Sequence, residues 1–214
     1  MLLAAGRGER LRPLTQNVPK ALVEVHGVSL LERHLLSLSD AGVETAVINL
    51  GWLGEQIVER IGSGERYGLN VIYSPEGNNI LETGGGIFRA LPMLGSEPFI
   101  VINSDIYTDM PIPGIDLNGG ASGHLVMVPR PAYRNTGDFD LVDGIVRNTD
   151  RSELIFAGVA VYRPGFFKDC VPGRFSMVPL MRAAADAGEL TGSVYRGEWA
   201  DVGTPERLAE LNRR

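Results

Sequence analysis

The densest chemistry-bearing pattern in the chain is Leu3-Ala4-Ala5-Gly6-Arg7-Gly8-Glu9-Arg10-Leu11-Arg12-Pro13-Leu14-Thr15, followed by Pro19-Lys20. Glycine lets backbone amides approach an anion with no Cβ in the way, and a loop leaving a strand can wrap its N–H groups around phosphate oxygens. Arg10 and Lys20 add fixed positive charge suited to a triphosphate and to the pyrophosphate that departs from it. Two familiar phosphate loops are excluded by spelling. Gly-x-Gly-x-x-Gly needs a glycine where Leu11 stands, and no stretch reads Gly-x-x-x-x-Gly-Lys-Ser/Thr. Taken alone, Gly6 and Gly8 are equally the makings of a tight turn whose arginines are merely solvated.

Two aspartates offer a second kind of chemistry. Asp105 follows the apolar run Phe99 to Asn103, which places its carboxylate beyond a strand's C-terminal end, where open α/β sheets bind ligands. Asp201 follows Trp199-Ala200 at another strand-like exit, although Thr204 opens a helix directly after it and a capping role competes. Two carboxylates, completed by phosphate oxygens and water, suit Mg²⁺. Glu82-Thr83-Gly84-Gly85-Gly86 can present amides at a helix N-terminus as a surface for a nucleobase, or can be a Thr-capped helix that needs glycine for close packing. His26, His34 and His124 are dispersed without metal-ligand spacing, and the single Cys170 permits neither a disulfide nor a cysteine cage. No Gly-x-Ser-x-Gly elbow occurs.

These residues need a scaffold, and the apolar pattern supplies one. Leu2 to Ala5, Thr45 to Leu50, Val71 to Tyr73 and Phe99 to Asn103 read as buried strands. Between them lie helical patterns: one opened by the capping box Ser29-Leu30-Leu31-Glu32 and closed at Ala41-Gly42, one over Trp52 to Ile61, and one over Thr83 to Leu94. Alternation of this kind predicts an α/β, Rossmann-like, mostly parallel sheet with helices on both faces. After about Asp105 the pattern changes. Pro111, Pro113, Gly114, Gly119 and Gly120 break regularity, and His124 to Val128, Phe139 to Val142 and Phe156 to Tyr162 read as strands of a small lobe covering one side of the first half. Terminal helices are expected over Met177 to Ala187 and Thr204 to Leu211, the latter capped by Thr204 with Pro205 at its first position. The chain therefore divides into a nucleotide-binding half, 1–105, and an acceptor half, 106–214, of a single domain.

Composition narrows the partners. With 20 Lys+Arg against 26 Asp+Glu, the 214 residues carry a formal charge of −6 and no basic run, which disfavours gripping a nucleic-acid backbone. The N-terminal apolar stretch is too short for a membrane span or a secretory signal, so a cytoplasmic protein is expected. Glycine, at 27 residues, is roughly twice its usual share of about 7%.

The full spelling of the first loop, with Pro19-Lys20 after it, resembles the signature of the sugar-phosphate nucleotidyltransferases, which make nucleotide sugars from a nucleoside triphosphate. The likeness extends through Tyr73-Ser74-Pro75-Glu76-Gly77, Leu81-Glu82-Thr83-Gly84-Gly85-Gly86, Asn103-Ser104-Asp105, Gly137-Asp138-Phe139 and Trp199-Ala200-Asp201-Val202-Gly203-Thr204. Within the family it is similar to the short uridylyltransferases of cell-wall recycling. The resemblance implies that Ala5, Gly6, Gly8, Glu9, Arg10 and Lys20 meet the nucleotide phosphates, and that Glu82, Thr83 and Gly84 meet the base. It further implies that Asn103 lies beside the ribose or acceptor, that Gly137, Asp138 and Glu153 line the sugar-phosphate pocket, and that Asp105 and Asp201 hold Mg²⁺. Arg10, Lys20 and Asp105 are the implied catalytic set.

The implied substrates are UTP and a sugar 1-phosphate. The alternatives are mannose 1-phosphate with GTP, glucose 1-phosphate with UTP, or a nucleotide-sensing module without turnover. One departure stands out: many hexose-1-phosphate members carry an acidic residue and a Lys before the strand at Phe156, where this chain reads Val146-Arg147-Asn148-Thr149. Arg147 is a candidate for the acceptor phosphate. Relatives carry a few more residues ahead of Leu2, so a short first strand is expected.

Overall fold

The computed structural model describes residues 1–77, 79–112, 117, 120–149 and 152–214; the expected breaks at Pro113, Gly114 and Gly119 lie outside them. In chain order the strands and helices are β1 (Leu2–Leu3), β2 (Glu24–Val25), β3 (Val28–Ser29), α1 (Leu30–Asp40), β4 (Thr45–Leu50), α2 (Gly54–Ile61), β5 (Asn70–Pro75), α3 (Glu82–Leu94), β6 (Phe99–Asn103), β7 (Ile106–Thr108), β8 (Gly123–Pro129), β9 (Asp140–Val142), β10 (Ile145–Arg147), β11 (Leu154–Tyr162), α4 (Met177–Asp186), β12 (Leu190–Val194), β13 (Trp199–Asp201) and α5 (Pro205–Leu211).

One nine-stranded sheet runs in the order β5-β4-β1-β6-β11-β8-β12-β10-β9. Its first four strands are parallel, with Leu2 paired to Ile48 on one side and Ile102 on the other. Strand β4 alternates faces, and both faces are buried: Ala46, Ile48 and Leu50 pack under α1 and α2, while Val47 joins Ile87, Ala90, Met177 and Met181 of α3 and α4. The chain winds from β1 outward to β5 and returns to β6 on the far side of β1. The C-terminal ends of β1 and β6 are therefore a topological switch point, the place where such sheets leave a crevice for ligands.

The strands beyond Asp105 do not cover the first half as expected; they continue its sheet. β11 pairs antiparallel to β6, β8 antiparallel to β11, and β12 parallel to β8. Each open edge offers unpaired backbone groups, and the apolar β8 and β11 satisfy them while burying both faces. The sequence pattern missed five strands, β2, β3, β7, β10 and β12. Glu24–Val25 and Val28–Ser29 form a hairpin around His26 and Gly27, both with positive φ, and β7 pairs with β13.

Capping follows the sequence. Ser29 Oγ accepts from Glu32 N–H and donates to the Glu32 carboxylate at 2.7 Å, and Thr204 accepts from Arg207 N–H. Glu32 also receives Arg60, Arg66 and Tyr67. Burial pushes its carboxyl up, but the hydrogen bonds from Arg60, Ser29 and Tyr67 outweigh burial and hold it at about 2. Two positions along the same helix, His34 is buried, and its Nε2 has no hydrogen-bond partner among the described residues. Burial pushes its imidazole down to about 4, against the pull of the Ile106 backbone and the Asp105 charge.

Both shifts make acid destabilising. Unfolded His34 takes up a proton below its ordinary 6.5, whereas the folded one stays neutral to about 4, so on the order of 3 kcal/mol should be lost across that window. The Glu32 contribution, present above its ordinary 4.5, disappears as pH falls toward about 2. Urea midpoints should therefore fall from pH 7 to pH 4.5, and His34→Gln should flatten that stretch. A flat wild-type profile over the same range would contradict the assignment.

Candidate active site

The first loop leaves β1 and turns back at Gly8, whose φ of +62° and ψ of 36° are left-handed. A Cβ there would also lie 2.9 Å from Thr15 Cγ2 and 3.0 Å from Lys20 Cβ, so both conformation and space require glycine. The Gly8 carbonyl accepts from Thr15 Oγ1 at 2.7 Å and from Leu11 N–H at 2.9 Å. Leu11 then anchors the loop in a small core with Val23, Val25, Leu30, Val202 and Leu211, which joins the loop, the β2–β3 hairpin and α5. Lys20, pinned against Gly8, reaches Asp105 with Nζ 2.5 Å from Oδ2.

Asp105 sits in the turn between β6 and β7. Ser104 Oγ donates to Leu3 O at 2.6 Å, and Asp105 O accepts from Val202 N–H at 2.8 Å. That last bond belongs to the β7–β13 ribbon, whose register sets Asp201 opposite Ile106. Two aspartates far apart in sequence are thereby brought to one place. Asp201 is gripped by Arg207 Nη1, at 2.6 Å from Oδ1 and 2.5 Å from Oδ2, and accepts from the Tyr133 hydroxyl. Arg10 reaches the same spot: a Cβ placed on Gly203 would lie 3.1 Å from Asp201 Oδ2, 3.2 Å from Arg10 Nη2 and 3.2 Å from Arg207 Nη1.

Two cavities meet beside Asp105. The first, of about 190 Å³, is bounded by Leu3 to Gly6, Lys20, Asn49, Ile80, Glu82, Thr83 and Asn103 to Asp105. The second, of about 160 Å³, is bounded by Asn103, Asp105, Ile106, Tyr133, Arg134, Ile155 to Gly158, Trp199 and Asp201. Asn103 and Asp105 are their common wall. A third hollow of about 130 Å³ opens beside Asn103 and Phe156 and is mostly apolar, lined by Ile87, Val101, Met177, Val178 and Met181. Among the described residues no three His, Cys, Asp or Glu side chains converge as a metal cage. The two carboxylates on the second cavity fit a hard dication that takes its remaining ligands from phosphate and water.

Not every expected residue faces these cavities. Glu9 is exposed and lies 3.9 Å from Arg12. Glu82, with φ +62°, borders the first cavity and pairs with Arg174 at 2.9 Å. Thr83 borders it too, accepting from Met177 N–H rather than capping α3. Gly84 and Gly85 donate to Phe175 O, and a Cβ on Gly84 would lie 2.4 Å from the Phe175 ring, so these glycines serve close packing. Gly137 donates to Ser152 O, and Asp138 bridges Arg134 at 2.6 Å and Phe156 N–H. Glu153 is solvent-facing and paired with Arg130. Arg147, on β10 near Gly188, does not border the second cavity; Arg134 does.

The nucleotidyl transferase family model matches residues 1–116. The chain is 42% identical over 98% of its length, and 95% of the relative's, to an N-acetylmuramate alpha-1-phosphate uridylyltransferase of Neisseria meningitidis serogroup B. The chain belongs to the nucleotidyl transferase family. A protein of the same description from Caulobacter vibrioides is 36% identical over 98% of this chain and 96% of its own. Among solved structures, HddC from Yersinia pseudotuberculosis complexed with GMP-PN superposes with a TM-score of 0.80 at 23% identity, over 99% of this chain and 96% of that one, which bears on the fold.

Sequence reasoning missed part of this sugar-phosphate nucleotidyltransferase's site. Asn49 is buried: its Oδ1 accepts from Ala4 N–H and its Nδ2 donates to Glu76 Oε1, each at 2.7 Å. Glu76, also buried, accepts from Leu81 N–H through its other oxygen. This chain of bonds ties the first loop to the start of α3. A polar residue inside the apolar strand Thr45 to Leu50 was the available signal. Tyr133, Arg134 and Arg207 had none, because only tertiary pairing brings the first two to the second cavity and the third onto Asp201. Among the described residues no helix is long and apolar enough to cross a membrane.

Proposed function

We propose that this chain makes UDP-N-acetylmuramic acid and pyrophosphate from UTP and N-acetylmuramic acid 1-phosphate, with Mg²⁺ held by Asp105 and Asp201, in the cytoplasm. The observation that carries the reading is the common wall of the two cavities. A loop suited to phosphates opens on one side, and Asp105 and Asp201 face the other. The two related proteins carrying the N-acetylmuramate name support the choice of acceptor and nucleotide.

In this reading the amides of Ala5 to Gly8 cradle the triphosphate, while Glu82, Thr83 and the backbone around Ile80 receive the base. Asn103, on the shared wall, meets the ribose or the acceptor. Lys20 and Arg10 neutralise charge as an acceptor phosphate oxygen bonds to the α-phosphorus and the bond to the β-phosphate oxygen breaks, its electron pair leaving with pyrophosphate. The acceptor is already an anion, so positioning and charge carry the rate and no general base is needed. Held by Asp105 and Asp201, Mg²⁺ would supply further charge neutralisation for the phosphates. Asp138 holds Arg134 and the Phe156 backbone at the acceptor side; Glu153 faces solvent, and Arg134 and Tyr133 line the acceptor cavity in its place.

The apolar hollow beside Phe156 offers room for an acyl or alkyl substituent, which mannose and glucose 1-phosphates lack. A panel of UTP, GTP and dTTP against these sugar phosphates, read as pyrophosphate release, should favour UTP with the N-acetylated acceptor. Turnover restricted to mannose 1-phosphate with GTP would overturn the substrate choice, and nucleotide binding with no turnover of any pair would favour a sensor.

A further inference from the structure

Asp201 enters the site already neutralised. One nitrogen of Arg207 lies within hydrogen-bond distance of both its oxygens, the guanidinium stacks 3.6 Å from the centre of the Tyr133 ring, and the Tyr133 hydroxyl donates to the same carboxylate. About a quarter of each partner's side chain is exposed, 23% for Arg207 and 27% for Asp201, so solvent screens the pair only in part. Asp105 is paired on one oxygen only, by Lys20. A dication cannot take full hold of Asp201 while Arg207 occupies both oxygens.

Resting on the metal reading above, we propose that Arg207 is a placeholder for the divalent ion on Asp201, releasing the carboxylate only when phosphates are present to receive the guanidinium it frees. Charge requires the coupling. Lys20, Arg10 and Arg207 outnumber Asp105 and Asp201 by one positive charge, and a dication would raise the excess to three around the one cavity that both aspartates border. Like charges at such separations repel strongly at a partly buried site. A triphosphate and a sugar phosphate reverse the balance. The protein should therefore bind the ion poorly by itself and well as part of a nucleotide complex. Arg207 is thus a positioning residue for Asp201, and Tyr133, stacked on the guanidinium, keeps the displaced side chain beside the acceptor cavity.

The test is Mn²⁺ binding to the full chain without nucleotide, followed by electron paramagnetic resonance. Arg207→Gln should tighten Mn²⁺ at least ten-fold over wild type, and adding Asp201→Asn should abolish the gain. The substitution spares the α5 cap, which uses the Arg207 backbone N–H on Thr204 Oγ1. Arg207→Lys, which keeps the charge but loses the planar guanidinium, should tighten binding by a smaller factor and serves if the glutamine variant does not fold. A folded variant that binds Mn²⁺ no tighter than wild type overturns the proposal. UTP affinity with and without Mn²⁺, read through Trp52 and Trp199 fluorescence, separates the two ideas. If Mn²⁺ strengthens UTP binding in wild type, a flat Arg207 series sinks only the placeholder; if it does not, the metal reading falls as well.

Discussion

Asp105→Asn is expected to slow pyrophosphate release by about 10² to 10³-fold, equivalent to roughly 3 to 4 kcal/mol of barrier, with little change in thermal stability. The side chain stays the same size, and the backbone bond from Val202 N–H to Asp105 O is untouched. The negative charge is what disappears. Lys20, 2.5 Å from Oδ2, loses its counter-charge, and the second cavity keeps only Asp201 for the proposed ion. Single-turnover measurement of pyrophosphate at saturating substrates and varied Mg²⁺ separates the two consequences: weaker metal binding is partly rescued by high Mg²⁺, whereas a lost electrostatic contribution is not. A variant with near-normal release at ordinary Mg²⁺ would remove Asp105 from the mechanism.

The second large effect is on stability. Asn49→Leu should cost about 4 kcal/mol, because it strips the partner from two buried atoms at once, the Ala4 N–H and Glu76 Oε1, leaving the carboxylate only the Leu81 N–H on its other oxygen. The carboxylate is the more expensive of the two, since a buried charge that loses one of its two donors is under-compensated. Adding Glu76→Gln removes that charge while keeping an acceptor for Leu81 N–H, so the double variant should recover part of the loss. Urea unfolding of the single and double variants measures this directly. Equal destabilisation in both would show that Glu76 is not the orphan. Because the same bonds set the loop after β1 against the start of α3, the single variant should also weaken UTP binding more than it slows turnover at saturation.

The sequence was most informative where local forces dominate. Thr45–Leu50 and Phe99–Asn103 are strands over the expected residues, and Ser29 and Thr204 cap the expected helices, because hydrophobic alternation and capping are decided within a few residues. The first loop was legible for a related reason. Gly8 must be glycine for its own backbone and for Lys20, so the requirement is written at one position.

Long-range pairing was less visible. The strands after Asp105 were recognisable, yet their patterns do not say which edge they seek, and they extend the sheet instead of covering it. β7 and β13 are three residues each, too short for a periodic signal, although their register is what aligns Asp105 with Asp201.

The chain's spelling by itself determined the kind of chemistry: a glycine loop with Arg10 and Lys20, two aspartates at strand exits, and a parallel α/β frame that must expose them at one end. Only the tertiary structure decided which charges share a cavity. It turned Glu153 and Arg147 away and brought Tyr133, Arg134 and Arg207 in. The reason is physical: backbone propensity acts between neighbours, whereas the field at Asp201 is set by groups that approach within a few ångströms only after the β7–β13 ribbon and the core around Leu11 and Val202 have formed.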